Sequence, residues 1–98
     1  MANADVLRYC LERWQDWQLA KPLTCPPELG ALLARGSGHS VYNILSTPQL
    51  IGRVRQQSTR LTDEAFSQEL TVWSLAAQSG LAPRIVYADE KEQAVICE

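Results

Sequence analysis

The chain has 98 residues, of which 46% are apolar and 20% are charged, and these values predict one folded domain and argue against a disordered chain. The formal net charge of -2 lacks the basic excess typical of nucleic-acid binders, so no nucleic-acid partner is expected. No stretch reaches the roughly 20 apolar residues that a membrane span needs, and the first residues lack the pattern of a signal peptide, so we expect a cytoplasmic protein without a membrane partner.

The spacing of the cysteines matches neither a disulfide framework nor a metal-binding motif. Cys10, Cys25 and Cys97 are far apart and odd in number, no CxxC pair exists, and His39 is the only histidine. Because metal sites need closely spaced ligands, this pattern predicts reduced cysteines and no metal site built from them.

The first segment reads as a helix from Asn3 to about Leu19. Its apolar residues recur at helical spacing and form one stripe: Val6, Leu7, Cys10, Leu11, Trp14 and Trp17. Lys21 to Pro27 carries three prolines, which fix the backbone and favour an extended connector. Residues 1–28 are therefore expected to form an N-terminal helix and a proline-rich connector.

Three short strands are predicted next. Leu29–Ala34 is apolar, while Val41–Leu45 and Leu50–Arg55 are rich in β-branched residues. The segments 35–40 and 46–49 between them read as a loop and a turn. Tight connections of this kind favour an antiparallel meander.

The best-marked helix begins after Thr62, which can accept a hydrogen bond at the helix N-terminus. Gly80 ends it, with Leu81 and Pro83 immediately beyond, as in a left-handed glycine cap. The apolar positions between these ends have helical spacing: Phe66, Leu70, Trp73 and Ala77.

Two further strands, Pro83–Tyr87 and Gln93–Cys97, follow this helix, and residues 88–92 form the turn between them. The complete pattern predicts an α+β fold. It has an N-terminal helix, a mainly antiparallel five-stranded sheet, and one helix inserted after the third strand.

The loop from Gly36 to Ser40 is the first candidate binding element. Glycines allow backbone N–H groups to approach a phosphate closely, and the hydroxyls of Ser37 and Ser40 could add donors. A flexible hairpin turn explains the same residues equally well, and His39 is expected to be an exposed loop residue.

The third strand and the inserted helix supply the second candidate. Arg53 and Arg55 are two residues apart and therefore share one strand face with Ile51. Glu69 falls inside the apolar stripe of the helix, where a carboxylate needs a partner, and Arg53 and Arg55 are the nearest upstream candidates. A solvated strand face and a structural ion pair remain the simpler interpretations.

These pieces, in this order, resemble the N-terminal lobe of the choline/ethanolamine kinase, thiamine kinase and aminoglycoside phosphotransferase superfamily. The segment Gly80–Tyr87 is similar to the family's G-[IL]-x-P-x-[IL]-x-x signature, and Ile51–Val54 is similar to its V-L-R-I strand. Val95–Glu98 looks like the strand that enters the hinge. The resemblance covers roughly residues 29–98.

The resemblance implies a kinase-like lobe, residues 29–98, that binds ATP with Mg²⁺. The residues implied in nucleotide binding are Gly36, Ser37, Gly38 and Ser40 over the phosphates, Arg53 on the α and β phosphates, Glu69 holding Arg53, and Glu98 at the hinge. The family's H-x-D-x-x-x-x-N motif and its magnesium aspartate belong to the C-terminal lobe and do not occur in these 98 residues. We therefore expect the metal ligands in that lobe, and no phosphotransfer by this chain alone.

Three functions remain open at this point. The first is the nucleotide lobe of a phosphotransferase that acts on a small hydroxyl compound, such as an amino alcohol, a thiamine-like compound or an aminoglycoside. The second is a non-catalytic interaction module that pairs with a partner, or with its own copy, through the cleft face or the tryptophan stripe. The third is an α+β domain in which Arg53 and Glu69 simply pair.

Overall fold

The computed structural model describes residues 3–19, 21–36, 38–46, 49–56 and 59–98. Within them lie helix α1 and, before the first strand, a short 3-10 helix at Trp14–Asp16, followed by five strands with helix α2 inserted. The bounds are α1 Asn3–Glu12, β1 Glu28–Gly36, β2 His39–Leu45, β3 Leu50–Arg55, α2 Asp63–Gln78, β4 Ile85–Asp89 and β5 Ala94–Cys97.

The strands form one five-stranded sheet in the order β1-β2-β3-β5-β4, and every neighbouring pair is antiparallel. Helix α2 connects β3 to β4, while β5 lies between those two strands in the sheet. The predicted α+β fold, with its five antiparallel strands and a helix inserted after the third, is confirmed.

The first helix is shorter than the sequence predicts. It ends at Glu12 instead of about Leu19, because the chain after it bonds to other groups. The Trp17 indole donates to the Cys10 carbonyl at 3.2 Å, and the Gln18 amide donates to the Val86 carbonyl on β4 at 2.7 Å. These bonds tie the segment after the helix to α1 and to β4.

The predicted caps of α2 are confirmed. The Thr62 hydroxyl accepts a hydrogen bond from the Ala65 amide at 3.1 Å, and Gly80 has the left-handed φ of 74°. The Leu81 amide then reaches back to the Ala76 carbonyl at 2.9 Å, which completes a Schellman ending.

One face of the sheet packs against α1. The apolar stripe of that helix is buried with side chains of the strands in one cluster, which includes Leu7, Cys10, Ile44, Val54 and Ile96. Since the buried positions alternate along β3, the intervening residues must point to the other face.

That other face packs against α2. Phe66 is 2% exposed and forms a second cluster with Val95 and Cys97 of β5. Helix α2 thus covers the β5 side of this face, whereas Val41 and Asn43 of β2 stay partly exposed. Arg53 and Arg55 lie between the covered and the open parts, since Arg53 is opposite both Val41 and Val95 in register.

Gly30 in β1 gives a first testable prediction. A Cβ atom at this position would lie 2.7 Å from the Asn43 carbonyl oxygen, whereas at Gly36 it would meet nothing within 4 Å. Because the obstacle at Gly30 is backbone, we expect Gly30→Ala to lower the free energy of unfolding by about 2 kcal/mol in urea denaturation. Gly36→Ala is the control, with a change within about 0.5 kcal/mol. Equal losses in the two variants would contradict the prediction.

Candidate anion-binding site

A cluster of polar and aromatic side chains lies where β3 passes beneath α2. It contains Arg53 and Arg55 from β3, Glu69 and Trp73 from α2, and His39 from the start of β2. His39 is opposite Arg55 in the β2–β3 register, so the two share a sheet face.

Arg55 and Glu69 form the ion pair of this cluster. The Nη2–Oε2 distance is 2.6 Å, and the side chains are 12% and 30% exposed. A second Arg55 nitrogen, Nη1, donates to the Thr59 carbonyl at 3.3 Å, and the buried Nε has no hydrogen-bond partner. Arg55 is therefore held by α2 and by the segment that precedes it.

Arg53 has different partners. Its guanidinium carbon lies 5.3 Å from the centroid of the Trp73 ring, and Nη2 lies 3.0 Å from Nε2 of His39 and 3.3 Å from Nδ1. A neutral imidazole has one acceptor nitrogen, so only one of the two contacts is a hydrogen bond. The expectation that Glu69 holds Arg53 is wrong, because the carboxylate of Glu69 pairs with Arg55.

The spacing of helix and strand explains this pairing. Four helical residues advance by about 6 Å, and two strand residues advance by nearly the same distance, about 6.7 Å. Helix α2 places Glu69 beside Arg55, and one helical turn further it places Trp73 beside Arg53. The distance between the two arginines along β3 therefore matches the distance between Glu69 and Trp73 along α2.

The glycine turn between β1 and β2 lies at the Arg55 end of this cluster. Gly38 has a φ of 90°, and its carbonyl oxygen accepts from the Gln56 amide at 2.8 Å and from the Thr59 hydroxyl at 2.9 Å. The turn is therefore tied to the segment that follows β3. Gly36 ends β1 and is exposed, while the predicted phosphate contact of Ser37 lies outside the described residues.

Two other predicted residues lie away from the cluster. Ser40 is fully buried and opposite Val54 in register, so it shares the α1 side of the sheet rather than the side of Arg53. Glu98 forms an exposed ion pair with Arg84, with an N–O distance of 2.8 Å. The structure thus brings Arg53, Glu69 and the glycine turn together and leaves Ser40 and Glu98 apart.

Gln93 is a structural residue of this region that the sequence pattern did not single out. It is 2% exposed, and its side-chain amide accepts from the Leu61 N–H at 2.9 Å and donates to the Leu61 carbonyl at 2.6 Å. These two bonds fix the chain just before α2 begins. A positive φ of 56° at Gln93 belongs to the turn before β5, and no sequence motif marks it.

The charge of the cluster suits an anion. Two guanidinium groups face one carboxylate, so one positive charge has no carboxylate partner inside the cluster. Burial raises the pKa of the Cys97 thiol on β5, while the Arg53 charge opposes that rise.

The free space inside the cluster is small. Its volume is about 10 Å³, at the lower limit for one water molecule. Two larger depressions of about 560 and 440 Å³ share no lining residue with the cluster. An anion would therefore have to approach Arg53 from the open β1–β2 side of the sheet.

The described residues contain no group of three or more histidine, cysteine, aspartate or glutamate side chains that could hold a metal ion. In the same part of the chain, no helix is both long and apolar enough to cross a membrane. Comparison with family models, with curated proteins and with solved structures gave no match for this chain.

Proposed function

We propose that this chain is the nucleotide-binding N-terminal lobe of an ATP-dependent phosphotransferase that acts on a small hydroxyl compound. The observation that carries the proposal is the placement of two strand cations beside a helix carboxylate, next to a glycine turn. Phosphoryl transfer depends on such fixed positive charge, because the phosphate oxygens carry negative charge throughout the reaction.

The order of the elements supports the same proposal. A glycine turn joins β1 to β2, β3 carries the cations, and α2 carries the carboxylate before β4 and β5 complete the sheet. A kinase-like lobe uses these parts in this sequence. Each part alone is common among α+β domains, so the support comes from their combination in one cluster.

The roles of the two arginines follow from their partners. Arg55 is largely neutralised by Glu69, so we assign it to holding α2 against the sheet. The charge of Arg53 is not cancelled by a carboxylate of the cluster, so we assign the phosphate contact to Arg53. Backbone groups at Gly36 and Gly38 would contribute further donors from the turn.

A second candidate function is a non-catalytic interaction module. Several large apolar side chains are exposed, namely Leu32 and Leu33 on the edge strand β1 and Val72, Leu75 and Leu81 on and after α2. A contiguous patch of such side chains would mark a contact surface. A defined dimer in light scattering, together with no binding of ATP, would favour this function.

The test of the proposed function is a titration of the ¹⁵N-labelled chain with MgATP, followed by NMR. We expect shifts of the Gly38, His39 and Arg53 amides with a dissociation constant of roughly 1 mM, since one lobe supplies only part of a nucleotide cleft. Arg53→Met should weaken binding at least about tenfold, a loss of about 1.4 kcal/mol.

Arg8→Met is the matched control, because Arg8 is an exposed arginine paired with Asp5 on α1, and it should leave ATP binding unchanged. Absence of shifts at the glycine turn, or equal binding by both variants, would refute the proposal. Efficient transfer of phosphate from ATP by this chain alone would also contradict it, because the H-x-D-x-x-x-x-N motif is missing from the sequence.

A further inference from the structure

We propose that Trp73, and not Glu69, positions the guanidinium of Arg53 for anion binding. The inference deepens the proposed function and rests on it for the identity of the anion. It rests on the structure alone for the claim that an indole ring, rather than a carboxylate, restrains this arginine.

The indole of Trp73 is itself fixed. Its Nε1–H donates to the Pro83 carbonyl at 2.8 Å, which ties α2 to the segment before β4. The ring also packs, partly buried, against the apolar cluster centred on Phe66. Because the indole N–H has a hydrogen-bond partner and the side chain packs against the apolar cluster, the orientation of the ring is set before any ligand arrives.

Arg53 lies over this fixed ring. The distance of 5.3 Å between its guanidinium carbon and the ring centroid is within the range of cation–π interactions. A cation–π contact attracts the guanidinium charge to the ring and requires no N–H donor of the arginine. One guanidinium nitrogen, Nη2, contacts His39, and the contact with the ring uses none of the donors.

The contrast with Arg55 shows why this matters for an anion. A carboxylate holds an arginine by occupying its donors and cancelling its charge, as Glu69 does for Arg55. An aromatic ring restrains the cation while leaving its full charge and its donors for a phosphate. The two arginines of β3 therefore have different roles. Glu69 neutralises Arg55, whereas Trp73 restrains Arg53 without cancelling its charge.

The test follows the side-chain resonances of Arg53 by NMR in Trp73→Leu, Trp73→Phe and Glu69→Gln. In the parent chain the ring current of the indole should displace the Arg53 δ-proton resonances from their ordinary positions. Trp73→Leu should return them to those positions, Trp73→Phe should retain part of the displacement, and Glu69→Gln should leave it intact. The inference would be overturned if the Arg53 resonances stayed displaced in Trp73→Leu, or if the displacement disappeared in Glu69→Gln.

ATP binding is the second readout. Trp73→Leu should weaken ATP binding about fivefold to tenfold, and Trp73→Phe should restore most of the affinity, which a purely structural loss would not predict. If the parent chain does not bind ATP, the proposed function fails, and the resonances still decide whether Trp73 restrains Arg53. Trp73→Phe keeps an aromatic ring in the apolar cluster, so it replaces Trp73→Leu in the test if the leucine variant does not fold. In that case, the inference would be overturned if the Arg53 resonances of Trp73→Phe were at their ordinary positions.

Discussion

Replacing Glu69 with leucine is expected to lower the free energy of unfolding by about 2 to 3 kcal/mol. The variant leaves the Arg55 guanidinium, only 12% exposed, without its carboxylate, and an unpaired buried charge is far costlier than a lost surface contact. The value lies below the roughly 3 to 5 kcal/mol typical of fully buried pairs, because Glu69 is 30% exposed. Urea denaturation followed by tryptophan fluorescence measures this loss.

Two controls separate this cost from a general effect of leucine. Glu98→Leu breaks the exposed pair with Arg84, in which the side chains are 48% and 45% exposed, and it should cost less than about 1 kcal/mol. The double variant Arg55→Met with Glu69→Leu removes both charges and should recover most of the stability. A double variant that is no more stable than Glu69→Leu would show that the unpaired charge is not the cause.

Stability and nucleotide binding are therefore expected to separate between the two arginines. Arg55→Met should weaken the fold, because it leaves Glu69 without its partner and releases a bond to Thr59. Arg53→Met should act mainly on ATP affinity, because Arg53 contacts a ring and an imidazole rather than a carboxylate. Each variant is thus a control for the other.

The sequence predicted elements whose signals are local. Thr62 and Gly80 mark the ends of α2 because capping depends on a few neighbouring residues. The period of two along β3 placed Arg53 and Arg55 on one face, opposite the buried positions. The number of strands and the inserted helix follow from similar local patterns.

The partner of Glu69 could not be predicted in the same way. Both arginines lie on one face, and the choice between them depends on how far α2 slides along β3. That offset is set by the connection before α2, which Gln93 fixes through two hydrogen bonds to Leu61. Since Gln93 is 32 residues from Leu61 in sequence, no local pattern carries this information.

The sequence predicted neither the early end of α1 nor the burial of Ser40. The Trp17 indole turns back to the Cys10 carbonyl, and the Gln18 amide binds the Val86 carbonyl of β4, which is 68 residues further along the chain. Ser40 lies opposite Val54 in the β2–β3 register and therefore points to the α1 side. A shift by one residue would have reversed its direction.

The chain should also lose stability in alkali through Cys10. This thiol is fully buried beneath α1, and burial, with a smaller contribution from Asp89, raises the pKa of Cys10 from 9.0 to about 12. Between these values the unfolded chain releases the proton and the folded chain retains it. Because the folded state then binds more protons, the free energy of unfolding falls as the pH rises.

The expected loss from this one group approaches 1.4 kcal/mol per pH unit above pH 9 and totals about 4 kcal/mol by pH 12. Urea denaturation at pH 8, 9, 10 and 11 measures how the free energy of unfolding changes with pH in the parent chain and in Cys10→Ala. The stability that the variant loses through its smaller side chain is the same at every pH. Burial also raises the pKa of Tyr87, so some slope will remain in the variant. If the free energy of unfolding fell in parallel with pH in the two chains, the Cys10 thiol would not stay protonated in the folded core. The packing of α1 on the sheet would then have to be looser than its buried stripe indicates.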